Sequence, residues 1–119
     1  MKSPFLDKEK IIENDFAYSV YDGYPISNGH SLVVPKNIVS DIFELTDEEY
    51  LGCFDLIKKV REILKKKFKP DGFNIGINSG ISAGQTIFHA HIHIIPRYNG
   101  DVSNPRGGIR NIIKGKDNY

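Results

Sequence analysis

Three of the four histidines in the chain stand at alternate positions of one short segment: His89, His91 and His93. In a β-strand, alternate side chains project from the same face, so the three imidazoles would form one row, with Ala90 and Ile92 turned towards a core. Neighbouring members of the row would be about 6.5–7 Å apart, twice the rise per residue of a strand. Because an imidazole near neutral pH is a nucleophile, a metal ligand or a proton carrier, three in register indicate a reactive site more than a row without a role.

Two kinds of chemistry fit such a row. His-x-His on a strand is a common ligand spacing for zinc, copper, iron or nickel. A metal site usually adds a carboxylate or a cysteine, and none lies between Phe73 and Asn99, although a distant acidic residue could reach the row through the fold. The other chemistry is covalent catalysis at phosphorus, because neutral imidazole is a good nitrogen nucleophile and a phosphorus–nitrogen bond is labile enough to be broken again.

A glycine-rich segment, residues 79–86, leads directly into the histidines and contains Gly80, Gly84, Gln85 and Thr86. Glycines let the backbone approach an anion closely, and successive N–H groups can cradle a phosphate. The segment lacks the lysine that a Walker loop requires. Next to the histidine row, it predicts a phosphate site beside a nucleophile.

Two sequence blocks carry a family resemblance. Residues 84–96, GQTIFHAHIHIIP, resemble the signature of the histidine-triad (HIT) family, in which three histidines alternate with apolar residues. Residues 29–36, GHSLVVPK, resemble the upstream Gly-His block of the same family. The order and spacing of the blocks also fit, so the resemblance covers residues 3–98.

The resemblance implies an activity at the α-phosphate of purine nucleotide conjugates, either dinucleoside polyphosphates or AMP phosphoramidates. The chain would be a nucleotide hydrolase or a nucleotidyl transferase. His91 would be the nucleophile and would form a covalent nucleotidyl-imidazole, which water or phosphate then resolves. The backbone carbonyl of His89 would accept the Nδ1 proton of His91. A non-catalytic nucleotide-binding regulatory module is the alternative, and its sequence mark would be a missing nucleophile.

The resemblance also implies the residues that would surround the nucleophile. Polar side chains would contact or flank the phosphate: His93, Gln85, Asn78 and Thr86. His30 would support the triad from a neighbouring strand, and Asp22 would bind the ribose hydroxyls. Phe5 falls where an aromatic residue stacks on the base, and it is equally compatible with a place in the core.

The chain departs from the family pattern at residues associated with zinc. Many bacterial members have a Cys-x-x-Cys pair that helps bind structural zinc, and the matching stretch here is SPFL, residues 3–6. A histidine often found after the Pro-Lys block is replaced by Asn37-Ile38. We therefore expect no metal and no required cofactor, with Mg²⁺ serving only to screen a polyphosphate substrate. The third histidine, in place of the glutamine of the uridylyltransferase branch, favours hydrolase-like members.

The predicted elements indicate how these residues are positioned. Strands are predicted over 11–21 (interrupted at Asn14-Asp15), 30–34, 73–78 and 88–96. Thr46 and Glu49 match a capping box, which begins a helix with apolar positions at Leu51, Phe54 and Ile57 and an end at residues 70–72. A shorter turn is predicted at residues 40–44. The fold class is therefore α+β, a HIT-like antiparallel sheet of about five strands with one long helix and a short one.

Composition limits the class of partner. Sixteen Lys+Arg and fifteen Asp+Glu leave a net charge of +1, which argues against binding nucleic acid by charge alone. No apolar run approaches the ~20 residues of a membrane helix, and the first ten residues do not resemble a secretory signal, so we expect a soluble cytoplasmic protein. The single cysteine, Cys53, excludes a disulfide framework. The partner expected is a small-molecule nucleotide, without nucleic acid or membrane.

We expect one HIT domain at residues 1–98, followed by a tail at residues 99–119. The resemblance implies a homodimer in which the long helix and the next strand pair with their two-fold mates to form a larger sheet. Leu51, Phe54 and Ile57 would then contact the second copy. In the tail, Arg106 and Arg110 could reach a phosphate site.

Overall fold

The computed structural model describes residues 3–119 of the chain. Its single sheet has the strand order β1-β2-β3-β5-β4, with every neighbouring pair antiparallel. The strands are β1 (Lys10–Glu13), β2 (Ala17–Tyr21), β3 (Ser31–Pro35), β4 (Gly72–Ile77) and β5 (Ile92–Arg97), and the long helix is α1 (Asp47–Phe68). The predicted α+β class is confirmed. The predicted short helix is a 3₁₀ turn, Ile42–Glu44.

Helix α1 begins where the sequence predicts. The Thr46 hydroxyl accepts the Glu49 N–H at 3.2 Å, and the Glu49 carboxylate accepts the Thr46 N–H at 2.9 Å. These bonds satisfy two of the N–H groups that a helix start leaves without partners. The helix ends at Lys69, which takes a left-handed conformation with φ 54°.

The buried face of α1 differs from the predicted stripe. Leu51 and Phe54 are 69% and 48% exposed, whereas the core side consists of Cys53, Leu56, Ile57, Val60 and Leu64. The reason is the close approach at Gly52, where a Cβ atom would lie 2.6 Å from Phe16. This contact turns Gly52 towards the sheet and its neighbour Leu51 away from it.

The sheet separates two apolar clusters. Alternate residues of β3 go to opposite faces, with Val33 in the cluster under α1 and with Leu32 and Val34 in the other. Phe5 completes the second cluster from a segment that we call the N-terminal arm, residues 3–8. The predicted site residues lie on this second face, where an arm rather than a helix covers the sheet.

The turn into β3 requires a glycine. Gly29 has φ +88°, and a Cβ there would lie 2.8 Å from the Phe68 ring. The Gly-His block thus marks a tight turn that leads directly into β3. The domain division after residue 98 stays a prediction, and residues 1–2 of the predicted domain lie outside the described residues. Over residues 3–119, no helix has the length and apolar character needed to cross a membrane.

Candidate active site

The histidine segment is only partly a strand. β5 begins at Ile92, so His89 and His91 precede it, and the prediction of a continuous strand from residue 88 is wrong. The backbone before β5 follows a different course, in which the Ala90 N–H donates to the Val39 carbonyl at 2.8 Å. The rings still lie in succession: Phe5 contacts both His89 and His91, and the His91 and His93 ring centroids are 5.0 Å apart.

The hydrogen bond of His91 determines which of its ring nitrogens is free. His91 Nδ1 lies 2.9 Å from the backbone oxygen of His89, as the resemblance implied. A carbonyl oxygen can only accept, so Nδ1 carries the proton and Nε2 carries the lone pair in the neutral ring. His91 is therefore held in the tautomer that a nitrogen nucleophile needs.

A second chain of hydrogen bonds determines the tautomer of His93. The Ile26 N–H donates to His30 Nδ1 at 3.2 Å, which places the His30 proton on Nε2. That N–H lies 3.0 Å from His93 Nδ1 and 3.3 Å from an Asp22 carboxylate oxygen. His93 Nδ1 accepts, so its proton is on Nε2. The site therefore combines a free lone pair on His91 with an N–H donor on His93.

The electrostatics keep the two imidazole rings of this network neutral. Burial, together with His91 and His30, lowers the pKa of His93 to about 4, with Asp22 opposing the shift. Burial also lowers the pKa of His30, and again Asp22 opposes it. Both rings are neutral near pH 7, which the hydrogen-bond assignment requires.

Asp22, His30 and His93 form a group of possible metal ligands whose atoms lie within 4.8 Å of one another. A metal on His30 Nε2 would move the ring proton to Nδ1, where the Ile26 N–H already donates. Two N–H groups would then face each other. The donor set fits a hydrogen-bonded network better than a metal ion.

The ring of His89 is part of the support, not the reactive surface. It is 1% exposed, its Nε2 donates to the Pro35 carbonyl at 2.7 Å, and its Nδ1 therefore accepts the Ser3 hydroxyl. Burial lowers the pKa of this ring, and the Pro35 hydrogen bond opposes the shift. Both ring nitrogens are used, so only the backbone oxygen of His89 acts on His91. Sequence reasoning missed this use of Ser3.

A structural zinc does not fit this part of the chain. Ser3 and Leu6 occupy the two positions where the resemblance places cysteines. Leu6 has no ligand atom, and the Ser3 hydroxyl is hydrogen-bonded to the ring nitrogen that a metal would need. The protein therefore uses a hydrogen bond in this place.

Six of the predicted residues border one cavity of about 420 Å³, which we call the nucleotide cavity after the substrate that the resemblance implies: Phe5, Asp22, Asn78, Thr86, His91 and His93. Its volume is typical of small-molecule sites. Phe5 belongs both to this lining and to the apolar cluster, so the two interpretations of this residue are compatible. Lys8, Tyr24 and Leu32 also border the cavity and carried no recognisable signal in the sequence.

Gln85 does not line the nucleotide cavity, contrary to the expected phosphate contact. Its side chain is 5% exposed, accepts the Gly80 N–H at 2.9 Å and donates to the carbonyls of Ser40 and Ile87. These bonds close the glycine-rich loop on itself and attach it to the segment after β3. Gln85 is therefore a support of the loop.

The glycine-rich loop also differs from the predicted phosphate cradle. The N–H groups of residues 80, 83, 84 and 85 all bond within the loop, which forms a 3₁₀ turn at Ile81–Ala83. The Ser79 hydroxyl donates to Asp41. Of residues 79–86, only Thr86 borders the nucleotide cavity, together with Asn78, which precedes the loop.

Comparison with known proteins identifies the family. Residues 4–100 match the family model described as HIT domain. The chain is 37% identical over 89 residues to Protein hit of Bacillus subtilis, covering 75% of this chain and 61% of that protein. It is 43% identical over 79 residues to the bis(5′-nucleosyl)-tetraphosphatase (asymmetrical) of Schizosaccharomyces pombe, covering 66% of this chain and 43% of that protein.

A solved structure agrees with the sequence comparisons. A HIT family protein from Bacillus anthracis superposes with a TM-score of 0.75 and 39% identity, covering 79% of this chain and 67% of that one. The chain belongs to the HIT domain family, and the predicted resemblance is confirmed. It spans less than two thirds of the length of the two curated relatives described above.

Proposed function

We propose that this chain is a nucleotide hydrolase or nucleotidyl transferase that acts at the α-phosphate of purine nucleotide conjugates. The observation that supports this most directly is the tautomer of His91, whose free Nε2 belongs to a ring bordering the nucleotide cavity. A neutral imidazole with a free nitrogen can attack phosphorus without first losing a proton.

The reaction proceeds in two steps. His91 Nε2 forms a bond to the α-phosphorus while the bond to the leaving group breaks, and the leaving group takes the bonding electron pair and a proton from solvent. The His89 carbonyl stabilises the positive charge on the ring through the Nδ1 proton. Water then forms a new P–O bond as the P–N bond breaks, and its proton returns to solvent. His93 Nε2–H donates to a phosphate oxygen throughout.

The remaining residues of the nucleotide cavity suit the rest of a nucleotide. Asp22 offers a carboxylate for ribose hydroxyls, and Phe5 offers an aromatic face for a base. The name of the yeast relative, a tetraphosphatase of bis(5′-nucleosyl) compounds, supports a nucleotide substrate. The proposal therefore covers dinucleoside polyphosphates and AMP phosphoramidates.

Intact-mass spectrometry tests the proposal. The protein is mixed with adenosine 5′-phosphoramidate and quenched rapidly, and we expect an adenylyl adduct that peptide mapping assigns to His91. The His91→Asn variant should bind the nucleotide and form no adduct. Nucleotide binding without an adduct or turnover in the unaltered protein would instead favour the non-catalytic regulatory module.

We also propose that the protein is a homodimer. β4 is an edge strand of the sheet, and α1 packs mainly over β2 and β3, which leaves Ile75 and Ile77 of β4 39% and 37% exposed. Exposed Leu51 and Phe54 add apolar area on the helix. A second copy that pairs with β4 would cover both. Ile57, in contrast, is buried in its own core and is not available to a partner.

Sedimentation at micromolar concentration tests the dimer. We expect twice the 13.5 kDa of the chain, and Ile75→Arg should give monomers. A 13.5 kDa species in the unaltered protein would contradict the proposal.

A further inference from the structure

A second cavity, of about 640 Å³, adjoins the nucleotide cavity at His93. The two cavities share four lining residues: Asp22, Tyr24, Asn78 and His93. His91 borders only the nucleotide cavity. In an in-line displacement, nucleophile and leaving group are on opposite sides of phosphorus. A phosphate held beside His93 and attacked by His91 therefore expels its leaving group towards the second cavity.

The lining of the second cavity is mainly apolar. Isoleucines border it on two sides: Ile95 of β5 on the His93 face of the sheet, and Ile109 and Ile112 from the tail. Ile75 and Ile77 of the edge strand β4 share the opposite face of the sheet with Ile94 and Ile92, and they border the cavity at the sheet edge. Among the described residues that border it, none is a lysine or an arginine, and Asp22 supplies a carboxylate. Several phosphate charges placed here would meet a carboxylate and no cation, which disfavours a polyphosphate leaving group.

The tail arginines do not change this charge balance. Arg106 donates to backbone oxygens of Asp117 and Tyr119, and Arg110 donates to the Lys116 carbonyl at 2.6 Å. Both guanidinium groups also lie over the Tyr119 ring, at 5.0 and 4.5 Å from its centroid. Their donors are bonded within the tail, and neither arginine borders the two cavities. That these arginines swing towards a phosphate site stays a prediction.

We propose that the second cavity is the leaving-group site and that it selects nucleotide conjugates of apolar amines over dinucleoside polyphosphates. This inference rests on the proposed function and narrows its substrate class. An apolar amine gains affinity by burying hydrocarbon against the isoleucines. A charged leaving group loses hydration there without gaining a cation. The tail completes the leaving-group site, so residues outside the histidine segment determine which leaving group is preferred.

A substrate series separates this inference from the proposed function. Adenosine 5′-phosphoramidate, with ammonia as its leaving group, tests the reaction without filling the second cavity. The isopentylamine conjugate of AMP supplies an apolar leaving group, and the β-alanine conjugate supplies a charged one of similar length. Diadenosine tetraphosphate is the polyphosphate. We expect kcat/KM for the isopentylamine conjugate to exceed the values for the β-alanine conjugate and the tetraphosphate by about tenfold or more.

Two neighbouring tail residues provide a matched pair of variants. Ile112 and Ile113 are 72% and 63% exposed, and only Ile112 borders the second cavity. Ile112→Ser should lower the ratio of kcat/KM for the isopentylamine conjugate to that for the parent phosphoramidate by about threefold or more, mainly through KM. Ile113→Ser should leave this ratio unchanged.

The possible outcomes distinguish a failure of this inference from a failure of the proposed function. Turnover of the parent compound without a preference for the apolar conjugate, or equal effects of the two serine variants, overturns the inference and leaves the proposed function standing. Turnover of the tetraphosphate alone also overturns the inference, whereas no turnover and no adduct with any compound of the series overturns the proposed function, and the inference with it.

Discussion

The N-terminal arm and the tail (residues 99–119) both border the histidines, and they are built in opposite ways. In the arm, Ser3 and Phe5 are 1% and 3% exposed, and Ser3 is bonded to a histidine ring. In the tail, Ile109 and Ile112 are 55% and 72% exposed, and the arginines bond within the tail itself. The arm is part of the core, whereas the tail lies on the surface and contributes no buried residue to the core.

This difference divides the site into a side that supports folding and the reaction and a side that can be altered without loss of the fold. The arm contacts His89 and His91 and borders the nucleotide cavity, so changes there should affect folding and rate together. Of the two cavities at the histidines, the tail borders the second and not the nucleotide cavity, so changes there should affect the choice of substrate. Segments with few buried contacts have low local stability and tolerate alteration.

The largest effect is expected at His91, because every proposed substrate requires the same nucleophile. His91→Asn should lower kcat by about 10³-fold or more, because an amide cannot form the covalent intermediate. Its free energy of unfolding should stay close to that of the unaltered protein. Steady-state kinetics with urea denaturation checks both. Residual activity above a tenth of the original would mean that another group attacks phosphorus.

Acidification should have the next largest effect. The pKa of His93 is lowered from 6.5 to about 4. Between these two pH values the unfolded chain binds a proton at this residue and the folded chain does not. The free energy of unfolding should therefore keep its highest value above pH 6.5 and should decrease as the pH falls towards 4. The loss from His93 is up to about 3 kcal/mol, and the lowered pKa values of His30 and His89 act in the same direction.

Denaturation by urea at a series of pH values measures this slope. His93→Gln should make the slope shallower, because glutamine does not titrate. An identical slope in the variant would show that the acid sensitivity arises elsewhere in the protein.

Ser3→Ala tests whether the arm is part of the core. We expect a loss of about 1–3 kcal/mol in the free energy of unfolding, because His89 Nδ1 is left buried without its donor, together with a lower kcat through the misplaced His89 carbonyl. Ser3→Thr should restore part of both. In the tail, the exposed Ser103 offers the control, and Ser103→Ala should change stability by less than about 0.5 kcal/mol. Equal effects would abolish the contrast between arm and tail.

Removal of the tail tests its independence. The cut is best placed after Asn104, because Asp101 holds Arg97 through bonds of 2.8 and 2.9 Å that belong to the end of β5. We expect a change of about 1 kcal/mol or less in stability and a clear change in KM or substrate preference. Unchanged kinetics for every substrate would show that the tail has no role in the site.

The smallest effect is expected from chelation. Because Ser3 and Leu6 provide no thiolate and His89 is bonded through both nitrogens, strong chelators should leave the free energy of unfolding unchanged. One equivalent of zinc in elemental analysis after extensive dialysis would contradict this expectation.

Much of the fold and the chemistry follows from short stretches of sequence. The capping box at Thr46 begins the helix, Gly29 marks the turn into β3, and the alternating histidines identify the family. These signals are mainly local, such as the hydrogen bonds at a helix start or the positive φ of a turn glycine. Local physics therefore determined the elements, apart from where β5 begins and which side of α1 is buried.

The tertiary structure alone decided how the site is supported. Ser3 reaches His89 across 86 positions of sequence, and His30 reaches His93 across 63. Gln85, next to the histidine segment, turns away from the site because loop carbonyls compete for its amide. Such partners depend on where loops and arms pack, which no local pattern encodes. The sequence by itself points to His91 as the residue proposed to attack phosphorus, and the bond that fixes its tautomer lies within the same segment. The packing of distant segments decided what surrounds it.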